Sequence, residues 1–315
     1  MKFQVDLADI KQAHERIRPF IHRTPILTSE SINAIAGCSL FFKCENFQKI
    51  GAFKARGGLN AVFSLPAEQR ARGVVTHSSG NHAQAIALAA QIAGIPAYIV
   101  MPKTAPEIKK KAVISYGAEV TFCEPTQSSR EQTATNIQEE TGATFISPYN
   151  DYAVIAGQAS CAKELIEDQE ALEVLITPVG GGGLLAGSLL STHYLKPEIS
   201  VYAGEPEGAN DTYLSLKAKE HIKVENPSSI ADGLLATMGP KNFEIIQELV
   251  EEVFPVTDPE IVGAMRLVWE RMKIIIEPSC AVPLAAILKH KDVFAGKKVG
   301  VILTGGNVDV GKLPF

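Results

Sequence analysis

Short apolar segments alternate with amphipathic segments along most of the chain. The apolar segments are rich in Val, Ile and Phe, and they predict buried parallel strands at 40–44, 73–76, 97–101, 120–123, 174–177, 201–204 and 299–303. The segments between them have helical spacing and predict helices at 82–93, 106–116, 129–141, 153–166 and 184–194. This alternation is typical of βαβ units. We therefore predict an α/β fold of two domains, each a mostly parallel, twisted sheet covered by helices.

The spacing of these units also predicts a domain boundary. Four strand–helix alternations fall between residues 73 and 149, which is enough chain for a small inserted domain. We expect residues 73–149 to form a small mobile domain. Residues 1–68 and 150–315 would then form a larger domain from both ends of the chain.

Composition narrows the classes of protein that need to be considered. The chain is 46% hydrophobic and has a net charge of −5 without a block of Lys and Arg, so nucleic acid and anionic membranes are poor partners. The first residues hold no signal-like apolar run, and polar residues, Gly and Pro interrupt the most apolar stretch, 83–101. The five cysteines include no C-x-x-C pair, which indicates reduced thiols and a cytoplasmic protein.

A lysine lies near the predicted start of a helix, in the segment GAFKARG at 51–57. Cations are disfavoured at a helix N-terminus, so this position of Lys54 needs a reason. A lysine between Phe53 and small apolar residues loses proton affinity and becomes an amine nucleophile. The alternative is an ordinary surface lysine.

Two further segments indicate anion binding. The loop SSGNH at 78–82 joins a predicted strand to a helix whose free N–H groups suit a substrate carboxylate, although the same residues also make ordinary helix caps. Four glycines, Gly180–Gly183, follow the strand at 174–177 and suit a phosphate. They also fit a loosened dinucleotide fingerprint with Glu205 as its acid, so an NAD-dependent dehydrogenase is an alternative. That alternative leaves Lys54 and the loop at 78–82 unexplained.

The ends of two other strands carry candidate ligands. Thr304, in TGGN at 304–307, offers an uncharged hydroxyl to a ring nitrogen, or it simply begins a turn. Glu205 and Asp211 lie close together with backbone carbonyls between them, the oxygen ligands that Mg²⁺ or Ca²⁺ prefers. On spacing alone, two solvated carboxylates are the simpler interpretation.

Taken together and in order, these motifs resemble the fold-type II pyridoxal-phosphate enzymes, which share a fold like that of the tryptophan synthase β subunit. Within that group the chain is similar to serine racemases and serine/threonine dehydratases. The resemblance spans about residues 5–309 and includes FFKCE at 41–45, IPAYIV at 95–100, VIAGQ at 154–158, IADG at 230–233 and LVWERMK at 267–273.

The resemblance implies a role for each matching residue. Lys54 would form the Schiff base with pyridoxal 5'-phosphate, and Ser79 would act from the opposite face of the ring. The cofactor would also contact Phe53, Asn81, Gly180, Gly181, Gly182, Gly183, Gly233 and Thr304. The substrate would contact Ser78, Ser79, Asn81 and His82, and a divalent cation (Mg²⁺, Mn²⁺ or Ca²⁺) would bind Glu205, the carbonyl of Ala209 and Asp211.

The implied reaction is β-elimination from L-serine or L-threonine to a keto acid and ammonia, together with serine racemisation, in a homodimer. An alternative substrate is threo-3-hydroxyaspartate, whose second carboxylate would meet Arg130, otherwise a helix-surface charge. A cysteine synthase-like β-replacement enzyme and a non-catalytic amino-acid sensor are further alternatives. Tyr149 and Ala236 stand where the racemases have Asn and Ser, so the substrate range does not follow from the resemblance.

Overall fold

The computed structural model describes residues 3–105 and 107–315. The strands in these ranges are β1 Ile26–Leu27, β2 Ser39–Cys44, β3 Val74–His77, β4 Ala97–Pro102, β5 Glu119–Cys123, β6 Thr144–Phe145, β7 Val174–Pro178, β8 Ser200–Pro206, β9 Glu252–Val256 and β10 Lys298–Leu303. The α-helices are α1 Leu7–Ile17, α2 Glu30–Ala36, α3 Lys54–Ser64, α4 Ala67–Ala71, α5 Asn81–Ala93, α6 Glu107–Ser115, α7 Gln127–Thr141, α8 Tyr152–Asp168, α9 Gly183–Leu195, α10 Asp211–Ala218, α11 Pro240–Leu249, α12 Asp258–Met272, α13 Pro278–Lys289 and α14 Lys291–Phe294.

The strands form two separate sheets. A six-stranded sheet has the order β1-β2-β10-β7-β8-β9, and a four-stranded sheet has the order β5-β4-β3-β6. Every pair of neighbouring strands is parallel except the short β1, which runs antiparallel to β2. The predicted α/β class with mostly parallel sheets is therefore confirmed.

Helices cover the larger sheet, and small residues bring two of them together. A Cβ atom on Gly187 of α9 would lie 2.7 Å from the backbone nitrogen of Ala159 on α8. Side chains along β7 are buried over their whole length, which matches the continuous apolar runs of strands covered on both faces. The described helices include none that is long and apolar enough to cross a membrane.

An early and a late segment of the chain meet at the carboxyl edge of the larger sheet. Strand β10 lies between β2 and β7, with Val301 paired to Phe42. Just beyond it, Ala52 and Gly305 form an isolated antiparallel bridge. In open parallel sheets, ligands bind at the carboxyl ends of the strands, so a ligand site is expected at this edge.

The observed elements start and end close to the predicted ones. The predicted helix at 106–116 begins at Glu107 in the structure, and Pro106 lies outside the described residues. The helix that carries Lys54 begins at Lys54 itself.

Candidate active site

Lys54 is the first residue of α3 and is half-buried. Its Nζ donates a hydrogen bond to the carbonyl of Pro148 over 2.8 Å and lies 5.2 Å from the centre of the Phe53 ring. Burial lowers the pKa of this amine from 10.5 to about 8. Lys54 is therefore a partly neutral amine near neutral pH, which is the form that a nucleophile or base requires.

The four glycines connect β7 to α9, and their surroundings leave no room for side chains. A Cβ atom on Gly181 would lie 2.3 Å from the ring of Tyr149, and one on Gly180 would lie 2.8 Å from the Cα of Leu234. Gly182 has φ of +89°, a conformation that favours glycine. Within the described ranges, the amides of Gly180–Gly182 donate to no protein acceptor. Together with the N-terminus of α9, these amides are suited to an anion.

The loop at 78–82 follows β3 and enters α5 at Asn81. Ser78 and Ser79 are half-buried in this loop. Asn81 Nδ2 donates to Glu277 Oε1 over 2.9 Å, and Asn81 Oδ1 accepts from Asn307 Nδ2 over 2.8 Å. These bonds attach the loop both to the start of α13 and to the segment that follows β10, and they hold the Asn81 amide in one orientation.

His82 lies just inside α5 and is 2% exposed. Its Nε2 donates to the carbonyl of Ile146 over 3.3 Å, while Nδ1 is buried and has no partner among the described residues. Burial, and then the positive charge of Lys54, lowers the pKa of His82 to about 3. In this arrangement His82 is a neutral imidazole whose free nitrogen accepts a hydrogen bond.

Thr304 and Gly233 lie at the same edge of the sheet. The carbonyl of Thr304 accepts from the backbone nitrogen of Phe53 over 2.9 Å, so the residue next to Lys54 is attached to the end of β10. Gly233 precedes Leu234, whose backbone lies against the glycine loop. The structure thus brings together Lys54, the glycine loop, Thr304 and Gly233 from distant parts of the sequence.

Arg130 lies on α7, close to the end of β3. Its charge acts on His77, the residue before the loop at 78–82, whose pKa is lowered chiefly by burial. The Nε of Arg130 is buried and has no hydrogen-bond partner among the described residues, and no carboxylate there pairs with this guanidinium. Arg130 is thus a cation that is available to an anionic ligand.

Glu205 and Asp211 are buried together beside α10. Glu205 is fully buried, and its two oxygens accept from the backbone amides of Thr212 and Tyr213, each over 2.9 Å. Burial raises the pKa of Glu205 to about 8, and the charge of Asp211 adds to this effect. The described residues hold no cluster of three His, Cys, Asp or Glu side chains suited to a metal. Two buried carboxylates that repel each other are nevertheless oxygen ligands of the kind that suits a hard cation.

The same geometry argues against the dinucleotide alternative. An acid that binds ribose lies open to the ligand cleft, whereas Glu205 is fully buried.

Comparison with known proteins identifies the family. A family model described as pyridoxal-phosphate dependent enzyme matches residues 17–305. The chain belongs to this family. A beta-hydroxyaspartate dehydratase of Paracoccus denitrificans is 52% identical over 307 residues, covering 98% of each chain. A serine racemase of Arabidopsis thaliana is 49% identical over 319 residues, covering 99% of this chain and 96% of the relative.

A solved structure gives the same result. The crystal structure of serine racemase from Dictyostelium discoideum has a TM-score of 0.93 and 51% sequence identity, covering 97% of this chain and 99% of that one. The predicted family and fold are therefore confirmed, and the cofactor of this enzyme is pyridoxal phosphate.

The described residues fit this cofactor. Pyridoxal phosphate needs an amine that is neutral enough to attack an aldehyde and a set of amides that bind a phosphate. The amine of Lys54 is suited to the first requirement, and the amides of the crowded turn at Gly180–Gly183 are suited to the second.

Sequence reasoning missed two residues of the site. Glu277 is 6% exposed and hydrogen-bonded to Asn81, and burial raises its pKa to about 7. Pro148 supplies the carbonyl that holds Lys54. No local pattern marks either residue, because one depends on a long-range contact and the other acts through its backbone.

Proposed function

We propose that this enzyme dehydrates hydroxy amino acids of the L-serine and L-threonine type to a keto acid and ammonia, and that it also racemises serine. The observation that carries the proposal is the low-pKa amine of Lys54 beside the glycine loop. Relatives named as serine racemase and beta-hydroxyaspartate dehydratase support the reaction class.

Lys54 would act as the base and acid at the substrate Cα. When bound, pyridoxal phosphate supplies an aldehyde for covalent attachment and a ring that withdraws electrons from Cα. With a pKa of about 8, about a quarter of the Lys54 amine is neutral at pH 7.5, against about a thousandth for an ordinary lysine. The structure therefore increases the reactive form by more than about a hundredfold.

Other residues would hold the cofactor in place. The amides of Gly180–Gly183 would bind the phosphate, and Phe53, Asn81 and Gly233 would lie against the ring. The hydroxyl of Thr304 would meet the pyridine nitrogen. A hydroxyl does not keep that nitrogen protonated as a carboxylate does, which favours elimination and reprotonation over transamination.

Ser78, Ser79, Asn81 and His82 would surround the substrate. The amides at the start of α5 suit its carboxylate. The free Nδ1 of His82 would accept a hydrogen bond from a donor group of the substrate, because it carries no hydrogen itself. Ser79 would return a proton on the face opposite Lys54.

The test is a parallel assay of L-serine, L-threonine and L-threo-3-hydroxyaspartate that measures keto acid and D-isomer. We expect Ser79→Ala to lose D-serine formation while it retains keto-acid release. D-serine formation at the wild-type rate by this variant would remove Ser79 from the mechanism. Lys54→Ala should lose the visible absorbance of the attached cofactor, and absorbance that remains sensitive to borohydride would remove Lys54.

A second candidate substrate is threo-3-hydroxyaspartate. The observation that favours it is the guanidinium of Arg130, which lies near the loop at 78–82 without a carboxylate partner among the described residues. We expect Arg130→Met to reduce turnover of hydroxyaspartate far more than turnover of serine. An equal loss for both substrates would assign Arg130 to stability alone.

A product that forms from an activated serine only when a thiol is present would indicate a β-replacement enzyme instead of a dehydratase.

We also propose a divalent cation at Glu205, Asp211 and the carbonyl of Ala209. Burial of the two carboxylates supports this site, since a cation would offset their mutual repulsion. Mg²⁺, Mn²⁺ or Ca²⁺ should raise the unfolding temperature of protein treated with EDTA, and Glu205→Gln should abolish that increase.

The enzyme would consist of two domains in each subunit of a homodimer. Residues 73–149 would form a small mobile domain, since all four strands of one sheet come from this segment. Lys109 on α6 donates to Asp232 over 2.5 Å, and this contact would connect the small domain to the large one, residues 1–68 and 150–315.

A homodimer is proposed because Phe47 and Ile275 are 43% and 50% exposed on adjacent segments. Five buried free cysteines support a cytoplasmic location.

A further inference from the structure

A group of charged side chains lies buried behind the helix that carries Lys54. Arg56, Lys43 and Glu45 are fully buried, and Glu164 and His14 are 1% and 5% exposed. These five residues, which we name the Arg56 cluster, come from α3, β2, the turn after β2, α8 and α1. The proposed reaction uses none of them.

Arg56 occupies the centre of this cluster and uses all five of its N–H groups. Nε and Nη2 donate to the two oxygens of Glu45 over 2.7 and 2.8 Å. Nη1 and Nη2 donate to the two oxygens of Glu164 over 2.9 and 2.8 Å, and Nη1 also donates to Ser160 Oγ over 3.2 Å. The guanidinium is thus held by two carboxylates from two different elements.

The remaining members balance the charge. Lys43 Nζ donates to Glu164 over 2.7 Å, so two buried cations face two buried carboxylates. His14 Nε2 donates to Glu164 over 3.0 Å, and its Nδ1 accepts from Lys163 over 3.1 Å. Although burial opposes ionisation, bonds from His14 and Arg56 hold the pKa of Glu164 well below its usual range.

A buried ion cluster is weak evidence for stability, because apolar side chains of similar volume often stabilise a core as well or better. Its position indicates another role. Residues two apart on an α-helix project about 200° apart, so Arg56 is held on the side of α3 away from Lys54.

The first turn of α3 needs such a support. Phe53 provides no side-chain cap, and the cationic Lys54 opposes the helix dipole at this end. Gly57 and Gly58 follow, and glycine is among the weakest helix formers. Side chains reach roughly 5–6 Å from a helix axis, so a rotation of about 10° would move the lysine nitrogen by about 1 Å. That shift is enough to break the bond to Pro148.

We propose that Arg56 is a positioning residue, whose two-point contacts with Glu45 and Glu164 fix the rotation of the first turn of α3 and thereby hold the Lys54 amine against Pro148. This inference rests on the proposed role of Lys54 as the reactive amine.

The test uses Arg56→Lys, which keeps the charge and loses the two-point contact. After removal of the cofactor from the full-length protein, capture of pyridoxal phosphate by Lys54 is followed by absorbance as a function of pH. We expect the midpoint of capture to move up by about one pH unit, towards that of an ordinary lysine. We also expect kcat to fall at least about tenfold while KM stays within about threefold.

The control is Val268→Ala, which shortens a fully buried side chain on α12, an element that does not include Lys54. It should lower the unfolding temperature as Arg56→Lys does, yet leave the pH midpoint and kcat unchanged. If Arg56→Lys also leaves the pH midpoint of capture and kcat unchanged, Arg56 only stabilises the fold and the inference is wrong. Where Arg56→Lys does not fold, Glu45→Gln takes its place, because glutamine can accept only one of the two hydrogen bonds that Glu45 accepts from Arg56. The same two measurements then decide.

Failure of the proposed function gives a different result. Lys54→Ala would then keep the visible absorbance of the cofactor in an otherwise unchanged chain, whatever Arg56→Lys does.

Discussion

A single methyl group on Gly181 should disrupt the site, because this glycine contacts the ring of Tyr149. A Cβ atom there would lie 2.3 Å from ring atoms Cγ and Cδ1. Carbon atoms pack at about 3.5–4.0 Å, so the ring would have to move by more than about 1 Å. Tyr149 follows Pro148, whose carbonyl holds Lys54, so the movement would reach the amine as well as the phosphate site.

Overpacking of this kind costs about 1–3 kcal/mol. If the whole cost falls on cofactor binding, Gly181→Ala should weaken it by about 5- to 140-fold, since about 1.4 kcal/mol corresponds to tenfold. The assay is a titration of cofactor-free protein with pyridoxal phosphate, followed by visible absorbance. The double variant Gly181→Ala/Tyr149→Ala removes the overlap and should recover most of the affinity.

Gly263→Ala is the matched control. A Cβ atom there meets nothing within 4 Å, and the residue lies inside α12. It should leave cofactor affinity unchanged and add a little stability, because alanine is the better helix former. If Gly181→Ala binds the cofactor as tightly as Gly263→Ala does, the crowded glycine turn is not the phosphate site and the reasoning is refuted.

Three further predictions concern ionisable groups. Because burial lowers the pKa of Lys54 to about 8, cofactor capture should rise with pH and reach half its maximum near pH 8, and a midpoint near 10 would contradict that burial. The pKa of Glu205 is raised from 4.5 to about 8 in the folded state. The free energy of unfolding of cation-free protein should therefore fall as pH rises from about 5 to 8, by at most roughly 1.4 kcal/mol per pH unit. In Glu205→Gln, the free energy of unfolding measured with urea should depend less on pH over that range. His82→Asn keeps a hydrogen-bond acceptor near the Nδ1 position, whereas His82→Gln keeps a donor near the Nε2 position. We expect His82→Asn to retain more turnover than His82→Gln. The reverse order would show that the substrate does not use Nδ1.

Much of the fold could be predicted because buried parallel strands leave continuous apolar runs in the sequence. The two-residue strands β1 and β6 carry too little pattern to detect. Strand β9 contains Pro255, a residue that argues against a central strand, and β9 does lie at an edge of its sheet.

The same contrast applies to the site. Lys54, the loop at 78–82, the glycine loop and Thr304 lie in local motifs whose residue types indicate chemistry. Glu277 and the Arg56 cluster depend on side chains that meet across more than a hundred residues of chain, as Arg56 and Glu164 do. Their charges look solvated in the sequence, and only packing shows that they are buried.

The central place of β10 has a consequence for biosynthesis. The strand enters between β2 and β7, and the carbonyl of Thr304 then receives the Phe53 amide. A ribosome releases the N-terminal part first, so a growing polypeptide carries its reactive lysine for more than two hundred residues before the strand that completes its surroundings is made. Loading with the cofactor is therefore expected only after β10 has been made and has paired with β2 and β7.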